Sequence, residues 1–221
     1  KSGATGNGTA WSNPQSLQAA LASAQAGDEI WVARGKYTPT SSTDRTVSFE
    51  IPDGVQVYGG FVGQETALNQ RNWKQNITIL SGEIGSPSKD DNSYTIVYTK
   101  NVSSATIVDG FIILGGTANG VGAKGNRERC GGGWFNDSEN GSSSPTIKNC
   151  TFARNTARDG AGLYNYAKNG NCAPRIVNCE FKGNRADLDG GAIYNDGRMG
   201  VCKPVIKGCI IVDNIATYGG G

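Results

Sequence analysis

The sequence predicts an all-β chain: a right-handed parallel β-helix, a solenoid, closed at its N-terminal end by one short helix. Three observations carry that expectation. First, the last third repeats itself. GGGWFN at 131–136, GAGLYN at 160–165 and GGAIYN at 190–195 are versions of one segment, each followed by a second: PTIKNCTFARN, PRIVNCEFKGN and PVIKGCIIVDN. Second, the registers agree at every landmark, because Asn136, Asn165 and Asn195 are spaced 29 and 30 apart, as are Pro145, Pro174 and Pro204, and Cys150, Cys179 and Cys209. A fixed period in this range marks one supersecondary unit stacked on copies of itself. Third, the stretch before the repeat is a series of short β-rich bursts (EIWVA, SFEI, VQVYGGF, ITILSG, YTIVYT, ATIVDGFIIL) punctuated by Gly, Asn, Asp and Ser.

Read in order, residues 1–28 form an N-terminal cap. Asn13 is placed as N-cap and Pro14 as the first helical residue, with Leu17, Ala20, Leu21 and Ala24 on one face, giving a helix over 13–25 that Gly27 ends. One amphipathic helix ahead of a run of strands suits a plug over the end of a solenoid, where unpaired backbone would otherwise recruit other chains. Residues 29–115 are expected to form irregular coils. Residues 116–130 carry almost nothing to bury and read as a surface loop. Residues 131–221 form the regular coils. Gly219-Gly220-Gly221 falls 29 residues after Gly190, so the repeat is expected to continue beyond residue 221. The whole span 1–221 reads as a single domain.

Composition narrows the function. Glycine supplies 33 of 221 residues but proline only 7, with no G-X-Y period, which removes collagen. The 21 basic and 19 acidic residues nearly cancel, so there is no electrostatic footprint for nucleic acid. The complete absence of histidine removes the usual general base and the commonest metal ligand. No apolar run reaches the roughly 20 residues of a transmembrane helix. No cofactor and no metal is expected.

Within the repeat, Trp134, Leu163 and Ile193 share a parity with Asn136, Asn165 and Asn195, while Phe135, Tyr164 and Tyr194 have the other. If the aliphatic residues face the core, the asparagines do too. Stacked every ~4.8 Å, they can pass amide hydrogen bonds from coil to coil, a structural role. The aromatic file then faces outward, where it could bind glycans or dock another subunit; the competing reading is cross-coil stacking or cover by a neighbouring loop. Cys172 and Cys179 bracket a strand-like APRIVN and would sit about 20 Å apart at ~3.3 Å per residue, too far for a disulfide, which needs Cα atoms within ~7 Å. Equivalent positions on successive coils meet that limit, so the expected bridge is Cys172–Cys202. Cys150, Cys179 and Cys209 form a column of small buried residues, and Cys130 has no evident partner. A disulfide points to an extracytoplasmic compartment.

The GGAIYN and F-x-x-N segments (Phe152–Asn155, Phe181–Asn184, with Ile211 replacing Phe before Asn214) resemble the GGA-[ILV] and F-x-x-N repeats of chlamydial polymorphic outer-membrane proteins and of other bacterial surface proteins with right-handed parallel β-helix repeats. The N-terminal part, with YGGF, ETALNQRNW and ITILSGEIG, is similar to the leading region of large secreted β-helix proteins. The resemblance implies export to the cell surface, and a structural or adhesive role with the chain itself, other surface proteins or glycans as partners. Filament and surface-layer assembly belong to the same expectation.

Parallel β-helices also include polysaccharide lyases and glycoside hydrolases, whose sites cluster acids on one face. The candidates are Asp159 and Asp189, at equivalent positions before the GG segment, with Arg158 and Asp187 nearby. Acids in D-G dipeptides are also common turn formers, and Cys130 and Tyr218 occupy the flanking coils. The chain is therefore expected to be non-catalytic.

Overall fold

The computed structural model describes residues 4–220. Three long parallel sheets run the length of the chain. One contains Glu29–Ala33, Gln56–Phe61, Ile107–Asp109, Thr146–Lys148, Arg175–Val177 and Val205–Lys207 in spatial order; the second contains Gly35–Tyr37, Thr78–Ser81, Ile112–Leu114, Thr151–Ala153, Glu180–Lys182 and Ile210–Val212. The third contains Phe49–Glu50, Val97–Lys100, Trp134–Asp137, Leu163–Tyr166 and Ile193–Asp196. Two three-stranded sheets line the corners, one of Thr117–Ala118, Thr156–Asp159 and Arg185–Asp189, the other of Ser142–Ser143, Asn171–Cys172 and Val201–Cys202. Each turn of chain adds one strand to each face, which makes the protein a parallel β-helix.

The register is the one the repeat predicts. Trp134 pairs with Leu163 and Leu163 with Ile193, and Asn136 pairs with Asn165 and Asn165 with Asn195. It reaches one coil further back than the sequence repeat, since Val97 and Thr99 pair with Trp134 and Asn136. Inward side chains stack in files: Val57, Val108, Ile147 and Ile176 on one face, Leu80, Ile113, Phe152 and Phe181 on another. All eight belong to one continuous core. Phe152 and Phe181 stack at 4.5 Å between ring centroids.

Backbone approach at the GG segments is close. A Cβ on Gly133 would lie 2.4 Å from the Gly162 carbonyl oxygen, and one on Gly162 the same distance from that of Ala192. Only glycine lets successive coils meet there.

The N-terminal helix spans Leu17–Ser23, and its cap is Ser16, whose Oγ accepts from the Ala19 amide at 3.2 Å. This corrects the expected start at Asn13 and Pro14. Those residues belong to an extended segment, Asn13–Gln15, that pairs antiparallel with Thr5–Ala10. The hairpin satisfies backbone groups that a longer helix would have taken. The helix buries Leu17 and Leu21 in the core and packs on Phe49–Glu50 and Glu29–Ala33, the end strands of their sheets. It therefore closes that end of the solenoid. At the other end, Ile206 and Ile211, in register with the inward files, are 44% and 42% exposed.

Residues 119–129 contain no strand and none of them is buried, as expected of a surface loop, but the segment is tied down at both ends. Thr117 and Ala118 are buried and pair with Thr156 and Ala157, and Cys130 bridges Asp159, so both ends of the segment join the corner sheet. The span between them forms a strap that returns on itself through the Gly120 amide and the Glu128 carbonyl at 2.8 Å.

Candidate functional site

The strap lies against the aromatic file. Tyr98, Phe135, Tyr164 and Tyr194 occupy one register position on four successive coils, with centroid separations of 6.1, 5.2 and 5.4 Å. Of the two readings the sequence leaves for this file, stacking between coils under a neighbouring loop is the one the structure matches, and an open binding stripe at Phe135, Tyr164 and Tyr194 is not. Phe135 is 2% exposed, Tyr164 is fully buried and Tyr194 is half-buried. The cover is cationic as well as steric. Lys124 Nζ sits 4.2 Å from the centroid of the Tyr194 ring, and the Arg127 guanidinium carbon 4.4 Å from that of Tyr98. Ring faces carry negative quadrupole potential, so cations are the natural cover for such a file. Gly125 allows the closest approach, because a Cβ there would stand 2.6 Å from the Tyr166 ring.

The tyrosine hydroxyls also find partners. Tyr98 donates to Asp137 Oδ2 at 2.8 Å and Tyr164 donates to Asp196 Oδ2 at 2.5 Å, each reaching an aspartate on the following coil. Burial raises the Tyr164 pKa, and the charge on Asp196 adds to the effect. Burial works against the Asp196 charge, yet hydrogen bonds from Arg198 and Tyr164 outweigh it and hold the carboxyl below its usual range. Arg198 also ties down the strap, donating from Nη2 to the Lys124 carbonyl at 3.0 Å.

Asp159 and Asp189 do stand on adjacent coils in register, as the sequence places them. Gly160 and Gly190 follow them with φ of +61° and +62°, so each D-G pair makes the tight left-handed turn into the GG segment. Lys124 Nζ bonds the Asp189 carboxylate, lies 3.5 Å from Asp159 Oδ1 and donates to the Tyr194 hydroxyl at 2.7 Å. Arg129 Nε holds Asp159 Oδ2 at 3.3 Å. Asp159 has no exposed surface, and its Oδ1 accepts no hydrogen bond. Burial opposes the charge on Lys124, but the hydrogen bonds to Asp189 and Tyr194 and the nearby Asp159 carboxylate outweigh it and raise the ammonium pKa.

Cys130 is buried beside this cluster, its thiol 3.8 Å from Asp159 Oδ2 and its pKa pushed up to about 11 by burial. Such a thiol is a poor nucleophile at neutral pH. The column Cys150, Cys179 and Cys209 is free, and each Sγ donates to a carbonyl on the preceding coil, at 3.7, 3.7 and 3.5 Å. Cys172 and Cys202 form a disulfide across adjacent coils, with Cα atoms 4.6 Å apart. Among the described residues, no group of three or more acids and cysteines is placed to hold a metal ion, and no helix is long and apolar enough to cross a membrane.

Two polar ladders run inside the wall. In the first, Asn136 Nδ2 donates to Asn165 Oδ1 at 3.0 Å and Asn165 Nδ2 to Asn195 Oδ1 at 2.8 Å; Thr99 extends it backward by donating to Asn136 Oδ1 at 3.0 Å. The second goes beyond what the sequence reading assigns. Asn155 Nδ2 donates to Asn184 Oδ1 at 3.0 Å and Asn184 Nδ2 to Asn214 Oδ1 at 2.8 Å. Its signal is present in the F-x-x-N period. Lys124, Arg129, Asp196 and Arg198 have no such signal, because their cluster joins segments far apart in sequence.

The fold and its internal ladders define a parallel β-helix protein whose most elaborate side-chain cluster fastens a strap to the wall. The family described as "Protein of unknown function (DUF1565)" matches residues 2–219, and the chain belongs to it; the family is associated with parallel β-helix proteins. No curated protein and no solved structure matches the chain. The narrower likeness to chlamydial repeats rests on the GGA and F-x-x-N residues alone.

Proposed function

We propose that the chain is a non-catalytic, extracytoplasmic β-helix with a structural or adhesive role at the cell surface, partnered by copies of itself, other surface proteins or glycans. The observation that carries this reading is where the polar side chains go. The asparagine amides, the tyrosine hydroxyls and the acids of the strap cluster bond across coils or to the strap, so these groups brace the wall instead of opening toward a substrate. Asp159 is sealed and Asp189 is paired with Lys124, whereas a glycosidase needs two carboxylates open to the sugar. The Cys172–Cys202 bridge favours an oxidising compartment. A solenoid turns chain length into a stiff, extended surface, which suits display and assembly.

The test pairs electron microscopy of native material with incubation on polygalacturonate and neutral β-glucans. Rods or filaments with no release of unsaturated or reducing sugar ends fit the reading. Sugar release that Asp189→Asn abolishes would replace it with the polysaccharide-enzyme reading, which the register of Asp159 and Asp189 favours.

A further inference from the structure

We propose that Lys124 and Asp189 condense to an intramolecular amide, a covalent fastening of the strap to the wall, with Asp159 moving the protons. The reactants are already in contact. Lys124 Nζ bonds the Asp189 carboxylate and lies 3.5 Å from Asp159 Oδ1. Both partners are held from behind. Arg198 Nη2 grips the Lys124 carbonyl at 3.0 Å, and the Asp189 carbonyl accepts from the Gly160 amide at 2.8 Å. Groups fixed in this way react as if at effective molarities of about 10⁵–10⁸ M.

The surroundings hold Lys124 as an ammonium, so the step needs a placed acceptor for its proton. An ammonium is not a nucleophile until it loses a proton, and Asp159 Oδ1 is a buried oxygen that accepts no hydrogen bond while Arg129 occupies Oδ2 of the same group. That oxygen takes one proton from Nζ. The nitrogen then attacks Asp189 Cγ and a C–N bond forms. The proton on Asp159 and a second from the nitrogen pass to one Asp189 oxygen, its C–O bond breaks, and water leaves. Asp159 ends as the carboxylate it began as. The net change is ammonium plus carboxylate to amide plus water, with no oxidant or cofactor.

High-resolution intact mass of the reduced full chain tests this, followed by peptide mapping. Wild type is expected one water mass below the sequence mass, with a Lys124 peptide joined to an Asp189 peptide. Lys124→Arg and Asp159→Asn should each restore the full mass, the second while retaining both condensing residues. Wild type at full sequence mass would overturn the proposal. So would a water loss that persists in Lys124→Arg or that hydroxylamine opens, since a succinimide at Asp159-Gly160 or Asp189-Gly190 behaves that way. If Asp159→Asn does not fold, the wild-type peptide map decides alone.

Discussion

Asn165 and Asn195 are joined amide to amide across two coils, Nδ2 to Oδ1 at 2.8 Å, while Asn165 accepts from Asn136 on its other side. The buried Asn165 amide is satisfied on both sides by its copies. Asn165→Ala breaks two such bonds, and an orphaned buried polar group costs about 1–3 kcal/mol. Urea denaturation should show a lower midpoint with the slope unchanged. Asn165→Asp should cost more, since it places a charge where Asn136 and Asn195 offer no cation.

Glycine requirements separate cleanly at two positions. A Cβ at Gly162 meets the Ala192 carbonyl oxygen at 2.4 Å, whereas one at Gly183 meets nothing, although φ there is +61°. Gly183→Ala should therefore cost only the left-handed penalty of about 1–2 kcal/mol. Gly162→Ala must force adjacent backbones apart and should cost more than about 3 kcal/mol or abolish cooperative unfolding. Thermal melts of the two variants compare them directly.

Acid should weaken the strapped face. The Asp196 carboxyl is held below its usual range in the fold, so its contribution is present above the unfolded value near ~4 and is lost as pH falls through the lower folded value. Asp196→Asn should flatten that limb of a stability-against-pH curve and lower stability at neutral pH. At the alkaline end, buried Tyr164 has a raised pKa, so its contribution is present below the unfolded value near ~10 and fades above it. Tyr164→Phe should remove that fade.

The repeat makes much of this architecture legible. Period and parity together assign the inward set Trp134, Leu163 and Ile193, the first asparagine ladder and the Cys172–Cys202 bridge, because parallel stacking turns equal spacing in sequence into contact in space. What lacks a period stays hidden. The 116–130 segment is poor in apolar residues, and its attachment depends on Lys124, Arg127 and Arg129 meeting Asp189, Glu50 and Asp159, pairs 65, 77 and 30 residues apart. Cover of the aromatic file by a neighbouring loop is a reading the sequence allows, but nothing periodic names Lys124 and Arg127 as the residues that supply it. Local signals also lose to pairing at the N-terminus, where the hairpin with Thr5–Ala10 takes Asn13 and Pro14 out of the helix.

Thiol chemistry should sort the six cysteines into three groups. Cys130, Cys150 and Cys179 are buried, with burial raising the Cys130 pKa and the neighbouring Cys150 thiol together with burial raising that of Cys179. They should resist iodoacetamide in the native state. Cys209 is partly exposed and should react first. Without reductant, denaturant should release four thiols, and reductant two more, matching four free cysteines and one bridge.

Stacking of like coils in register underlies every one of these expectations, and the native bridge reports on it directly. Non-reducing proteolysis with mass mapping should recover Cys172 joined to Cys202, a link that closes only when residues 30 apart face each other on successive turns. Recovery of Cys172 joined to Cys179 or to Cys150 instead would require a different path for the chain and would contradict the account.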